Sequence, residues 1–113
     1  MKFGFFNFNT GYSIRPDELA QALEERGYDS LWLGEHTHIP VEQDTPFVLD
    51  GGETPMPYAN IMDPFVSLMA AASATTTLKL ATGICLLIQR DPIVTAKAVA
   101  TLDVLSRGRV IFG

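Results

Sequence analysis

Short apolar runs alternate with segments of helical spacing along this chain. Lys2 to Phe8 is dense in aromatic residues and predicts a strand, with the polar Asn7 and Asn9 at its end. A Gly-Tyr-Ser turn follows. Pro16 suits the first turn of a helix, Asp17 and Glu18 sit where the helix dipole favours anions, and Leu19 and Leu23 form one apolar stripe before Gly27. Ser30 to Gly34 predicts a second strand, apolar on both faces, as in a covered parallel sheet. Thr37 to Met62 shows no periodicity and carries Pro40, Pro46, Pro55, Pro57 and the pair Gly51-Gly52. A loop of that length inside a compact domain is expected to be a functional lid or a disordered segment. Asp63-Pro64 then opens a helix with Phe65, Leu68, Met69 and Ala72 at helical spacing, and Thr75 to Thr77 close it. Leu78 to Ile88 contains a third strand. Asp91-Pro92 opens an alanine-rich helix that ends near Gly108, and Arg109 to Phe112 is a fourth strand.

The order β-α-β-α-β-α-β predicts an α/β fold with a parallel sheet and right-handed crossovers. "DPFV" at Asp63 and "DPIV" at Asp91 form a weak repeat, each opening a helix. An open doubly wound sheet and part of a (β/α)8 barrel both fit. The chain finishes on an apolar strand, which favours the barrel. Four strands cannot close one, so residues 1–113 are expected to be a single partial domain, the N-terminal half of a TIM barrel with a long loop at 37–62. Such a half exposes an edge strand and an apolar face, so a homo-oligomer is expected.

Composition narrows the partners. Hydrophobic residues make up 47% of 113, which excludes a disordered chain. The net charge is -5 and no Lys/Arg cluster occurs, which argues against nucleic acid and anionic membrane. The N-terminus is too short and polar for a signal peptide, and no apolar run approaches the ~20 residues that span a bilayer. A single cysteine, Cys85, forbids an internal disulfide. A cytoplasmic protein with a small-molecule substrate is expected.

Both histidines of the chain lie in "SLWLGEHTHIP", Ser30 to Pro40. In a barrel, active-site groups come from the C-terminal ends of strands. Asn7, His36 and the segment Thr82-Gly83-Ile84-Cys85 all fall at such ends and converge on one mouth. His36 can serve as acid, base or donor, or simply sit at the surface or cap a helix. Residues two apart in extended chain share a side, so His36 and His38 could share a zinc, with Glu42, Asp44 or Asp50 as further ligands of a metal-dependent hydrolase. Pro40 ends that extended run at once, and no metal is expected. Gly83 marks a close approach of ligand or backbone, or relieves packing. Cys85 and Trp32 read as core residues, and Met56 and Tyr58 could line a pocket. No Gly-x-Gly-x-x-Gly, Walker loop or nucleophile elbow occurs.

"SLWLGEHTHIP" together with "DPFVSLMAAASATTTLKLATGICLLIQRDPIVTAKAVATLDVLSRGRVIFG" resembles the luciferase-like monooxygenase superfamily, and within it the branch of oxidoreductases dependent on the deazaflavin coenzyme F420. The resemblance implies a (β/α)8 barrel more than twice this length. It implies that Glu35 and His36 lie against the cofactor ring, as catalytic residues that assist proton transfer or hold the substrate. It places a non-proline cis peptide at Gly83 and Ile84, backing the ring, with Thr82 and Asn7 beside them as cofactor contacts. His38 and Tyr58 fall on the substrate side. The expected activity is hydride transfer between F420 and an organic substrate. FMN-dependent oxygenation is the alternative within the superfamily, and a non-catalytic, self-assembling half-barrel the alternative outside enzymology.

Overall fold

The structure, a computed structural model, describes residues 1–42, 44, 52 and 54–113. Its elements are β1 (Gly4–Asn7), α1 (Pro16–Glu25), β2 (Ser30–Leu33), α2 (Met56–Ala59), α3 (Pro64–Ala74), β3 (Lys79–Thr82), a 3-10 turn (Leu87–Gln89), α4 (Pro92–Leu105) and β4 (Val110–Ile111). The strands form one sheet in the order β1-β2-β3-β4, and every neighbouring pair is parallel. Spatial order equal to chain order is the winding of a barrel wall. A doubly wound sheet reverses its order at a switch point, and no reversal occurs here.

Alternation along the strands builds two faces. Leu31, Leu33 and Leu80 are almost fully buried and meet Leu19 and Leu23 of α1, Phe65 and Leu68 of α3, and Leu102 of α4. This is the core. The opposite face carries Phe6, Trp32, Ala81 and Ile111, which lie side by side in register. Phe6 remains 47% exposed and Ile111 36%. That face corresponds to the interior of a barrel.

The two Asp-Pro motifs act alike. Asp63 Oδ1 accepts the Val66 N–H at 3.0 Å and Asp91 Oδ1 accepts the Val94 N–H at 2.8 Å, each capping a helix whose proline lies in the first turn. Gly27 and Gly108 both adopt φ +76°, so the helices turn off where the sequence indicates.

The strands are shorter than their apolar runs. In Leu78–Ile88 the strand stops at Thr82: the Gly83 N–H still donates to Leu33 O at 2.8 Å, but beyond it the Cys85 N–H donates to Gly113 O at 2.7 Å and the Leu86 N–H to the Glu35 carboxylate. Helix α2 is an addition to the expected order. Pro55 and Pro57 read as breakers, yet proline fits a first turn, where its missing N–H has no partner. Pro46, Asp50 and Gly51 of the long loop lie outside the described residues. Among the described residues no helix is long and apolar enough to cross a membrane.

Glu24, at the end of α1, fastens the connection from α3 to β3. Its carboxylate accepts the N–H groups of Thr76, Thr77 and Leu78 at 2.6–3.1 Å and the Thr77 hydroxyl at 2.9 Å. Burial opposes the charge, but these donors prevail and hold the carboxyl at about 2, below its ordinary 4.5. Glu24→Ala should therefore cost about 1–2 kcal/mol at neutral pH, reduced by solvent screening. The stabilisation is complete above pH 4.5 and is lost as pH falls toward about 2. Urea midpoints of wild type and variant should converge over that interval.

Candidate functional site

Asn7, Leu33 and Thr82 end their strands at one level in the register, and the chain leaves the sheet there three times. After β2 it continues through Gly34, Glu35 and His36. Glu35 turns into the protein and is only 5% exposed. Its Oε2 accepts the Leu86 N–H at 2.7 Å, and its Oε1 is held by Nε and Nη2 of Arg90. The same Nη2 reaches Asp63 Oδ2 at 2.7 Å, and the guanidinium stands 4.7 Å from the centre of the Phe65 ring. A buried carboxylate is thus neutralised and its lone pairs are occupied, which is the condition under which burial of charge is tolerated.

His36 points the other way, into a cavity of about 300 Å³. Gly34, Glu35, Gly83, Ile84 and Leu86 form its strand-end wall, and Phe6, Phe8, Tyr58 and Ile61 face them. The His36 ring meets Tyr58 edge-on at 5.1 Å, Tyr58 meets Phe8 at 5.0 Å, and Phe8 meets Phe6 at 5.3 Å. Tyr58 comes from α2, which the Thr10–Ile61 bridge and the Met62 N–H to Asn9 O bond tie back to the end of β1. The long loop therefore contributes directly to the cavity. The Gly83–Ile84 peptide bond is cis.

Trp32 lies beneath this mouth, its Nε1 donating to Ser30 Oγ at 2.8 Å. Glycines in β1 and just past the ends of β3 and β4 leave room for it. A Cβ at Gly83 would approach the indole to 3.3 Å, one at Gly113 to 3.6 Å, and one at Gly4 to 2.7 Å from both Trp32 Nε1 and Ser30 Oγ. Gly4→Ala should displace the indole and cost about 1–3 kcal/mol, as overpacking does. A lowered denaturation midpoint with a shifted Trp32 emission is the expected result, and an unchanged emission would contradict this packing.

Of the residues singled out by sequence, the cavity gathers Glu35, His36, Tyr58, Gly83 and Ile84. Asn7 and Thr82 do not line it. Asn7 sits on the face of β1 opposite Phe6. Thr82 is 1% exposed and its hydroxyl bridges both backbone groups of Gly113 at 3.1 Å, so it joins strands. His38 is exposed, and its Nδ1 lies 2.8 Å from the Thr37 hydroxyl, which donates to Gln89 Oε1 at 2.8 Å. Among the described residues no group of three or more His, Cys, Asp or Glu could hold a metal. Asp50, one of the conceived ligands, lies outside them. Burial, and then the neighbouring Glu35, push the Cys85 thiol up to about 11, so it is no nucleophile near neutrality. Sequence reasoning missed Arg90, whose position before a helix cap carries no signal of the carboxylate it meets 55 residues away.

Two larger clefts, of about 820 and 610 Å³, lie on the helical side, between α3 and α4 and between α4 and β4. Their walls are apolar, with Lys97 the charged residue of the first and Asp103 of the second. The first has no strand residue in its lining, and of the strands the second meets only β4, at Val110 and at Phe112 just past it. The smaller cavity is the candidate because residues from three strand ends converge there, the aromatic Phe6 and Phe8 at the end of β1, the ionisable Glu35 and His36 after β2, and Gly83 and Ile84 after β3.

Comparisons with known proteins give the family and the fold. An uncharacterized protein of Mycobacterium tuberculosis is 39% identical over 116 residues, covering 100% of this chain and 41% of that protein. Limonene 1,2-monooxygenase of Rhodococcus erythropolis is 32% identical, covering 93% of this chain and 23% of the relative. The chain thus spans less than half the length of these relatives. Among solved structures, the coenzyme F420-dependent tetrahydromethanopterin reductase of Methanopyrus kandleri superposes with a TM-score of 0.70 at 26% identity, over 99% of this chain and 26% of that one. A monooxygenase of Streptomyces bottropensis does so with a TM-score of 0.74 at 28% identity, over 100% of this chain and 33% of that one. The family described as luciferase-like monooxygenase matches residues 2–113. The four parallel strands and their crossovers are accordingly a part of that family's barrel, and the chain belongs to the luciferase-like monooxygenases.

Proposed function

We propose that this chain supplies one wall of the cofactor and substrate site of an oxidoreductase that transfers a hydride between the deazaflavin F420 and a small organic substrate. The observation that carries the reading is the convergence of His36 and the Gly83–Ile84 turn on one aromatic cavity. The residues present suit a flat ring. Gly34 and Gly83 bring bare backbone to the cavity, Ile84 offers an apolar side chain, and about 300 Å³ is at the small end of ligand pockets, enough for a ring and not for a whole nucleotide-like cofactor.

Bound there, F420 would supply the hydride chemistry itself. The protein's part is to bind, orient and handle protons. His36 is the group that can hold or pass a proton at the cavity, since it lines it and an imidazole nitrogen can donate or accept a proton. Glu35 is tied to Arg90 and Leu86, so its role is to anchor the corner behind the histidine. Phe6, Phe8 and Tyr58 exclude water and favour an apolar substrate surface.

The second reading is an FMN-dependent monooxygenase, favoured by the likeness to limonene 1,2-monooxygenase. Titration of the protein with F420 and with FMN separates them, read by ring absorbance and by quenching of Trp32, the single tryptophan. Preference for F420 by about tenfold, or ~1.4 kcal/mol, supports the deazaflavin reading. Preference for FMN replaces it with the monooxygenase, and binding of neither removes both.

A further inference from the structure

Arg90 ties together the two strand-to-helix connections that follow β2 and β3 without lining the cavity. Its Nε and Nη2 hold Glu35 at the end of β2. Its Nη2 also holds Asp63, whose other oxygen caps α3, and its guanidinium carbon lies over the Phe65 ring in the first turn of that helix. Its own backbone runs directly into Asp91, the cap of α4.

Glu35 is the member that matters for the cavity. One residue further on is His36. The same carboxylate accepts the Leu86 N–H, so it also fixes the turn that carries Gly83 and Ile84. The Glu35 side chain is 1% exposed, and burial of a carboxylate calls for a cationic partner, which Arg90 is. A planar fork can engage Glu35, bridge to Asp63 and lie over Phe65 together, whereas an ammonium offers a point charge and no such plane.

We propose that Arg90 is a positioning residue, which through Glu35 sets the place of His36 relative to the Gly83–Leu86 turn. Its relevance to catalysis rests on the oxidoreductase reading above, but its test does not. His36 and His38 are the two histidines of the chain, so an NMR spectrum of the imidazoles holds two sets of signals, assigned with H38Q. Tyr58, 5.1 Å away and edge-on, displaces the His36 signals by its ring current.

In R90Q that displacement should be lost, in R90K it should be partly retained, and His38 should not move in either. The double variant E35Q/R90Q should return the His36 signals toward wild type, because a neutral amide at 35 accepts the Leu86 N–H and needs no cation. If folded R90Q and R90K leave His36 where wild type has it, or if the double variant is no nearer wild type than R90Q, the proposal fails. Should R90Q not fold, the R90K signals decide. A protein that shows these shifts yet binds neither F420 nor FMN would lose the oxidoreductase reading and keep the positioning role.

Discussion

Arg109→Ala should destabilise the chain by about 3–5 kcal/mol, the loss of several hydrogen bonds from a charged donor to buried acceptors. Arg109 is only 8% exposed and finds no carboxylate among its hydrogen-bond partners. Its guanidinium donates instead to Ser106 O at 2.7 Å, Ala72 O at 2.7 Å, Leu78 O at 3.1 Å and the Thr75 hydroxyl at 2.8 Å. These acceptors belong to the C-terminal ends of α3 and α4 and to the residue before β3, so one side chain satisfies carbonyls that the helices leave open. Burial lowers the pKa of Arg109, yet a guanidinium stays charged throughout the stable pH range. Removal leaves several buried acceptors without a donor, each worth about 1–3 kcal/mol before relaxation. Arg109→Lys should recover part of the loss, since an ammonium can reach some but not all of the four acceptors. Equilibrium urea unfolding measures both. A cost below about 1 kcal/mol, the size of a surface substitution, would show that the carbonyls are satisfied without Arg109.

Glu35→Ala should cost about 2–4 kcal/mol, less than the full penalty of breaking a buried pair because Arg90 retains Asp63. Two groups lose their acceptor at once: the Leu86 N–H and one edge of the Arg90 guanidinium. Glu35→Gln keeps an oxygen for Leu86 and should cost less than alanine. The ordering Glu > Gln > Ala in denaturation midpoint is the signature of an anchor. A residue kept solely for proton transfer would show little stability change in either variant, so equal midpoints would return Glu35 to a direct chemical role.

The fold was legible because its signals are local. The two Asp-Pro caps, the apolar runs and the glycines at 27 and 108 each announce an element from neighbouring residues alone. What the pattern could not give was the length of the strands. That depends on where amides such as those of Cys85 and Leu86 find acceptors, and both acceptors are remote in sequence. The choice between an open sheet and a barrel wall likewise depended on strand order, a purely tertiary fact.

The candidate site was half legible. His36, Gly83 and Ile84 stand out in sequence because a histidine or a glycine next to an apolar run is chemically conspicuous, and the cavity joins them. Thr82 looked equivalent to its neighbours, but alternation turns its hydroxyl toward Gly113. Tyr58 was visible as an aromatic in a long loop, while the helix that delivers it was hidden by two prolines. Arg90 and Arg109 were not visible as structural centres, since a lone arginine reads as surface until its partners are placed.

The measurement that tests the central claim most directly follows the two histidines during addition of F420, with FMN in parallel. If the His36 corner receives the ring, the His36 imidazole signals move with added cofactor, Trp32 emission falls over the same concentrations, and His38 stays in place. If cofactor binds while His36 does not move, or if His38 alone responds, the ring sits elsewhere and the site assigned to His36, Gly83 and Ile84 is wrong.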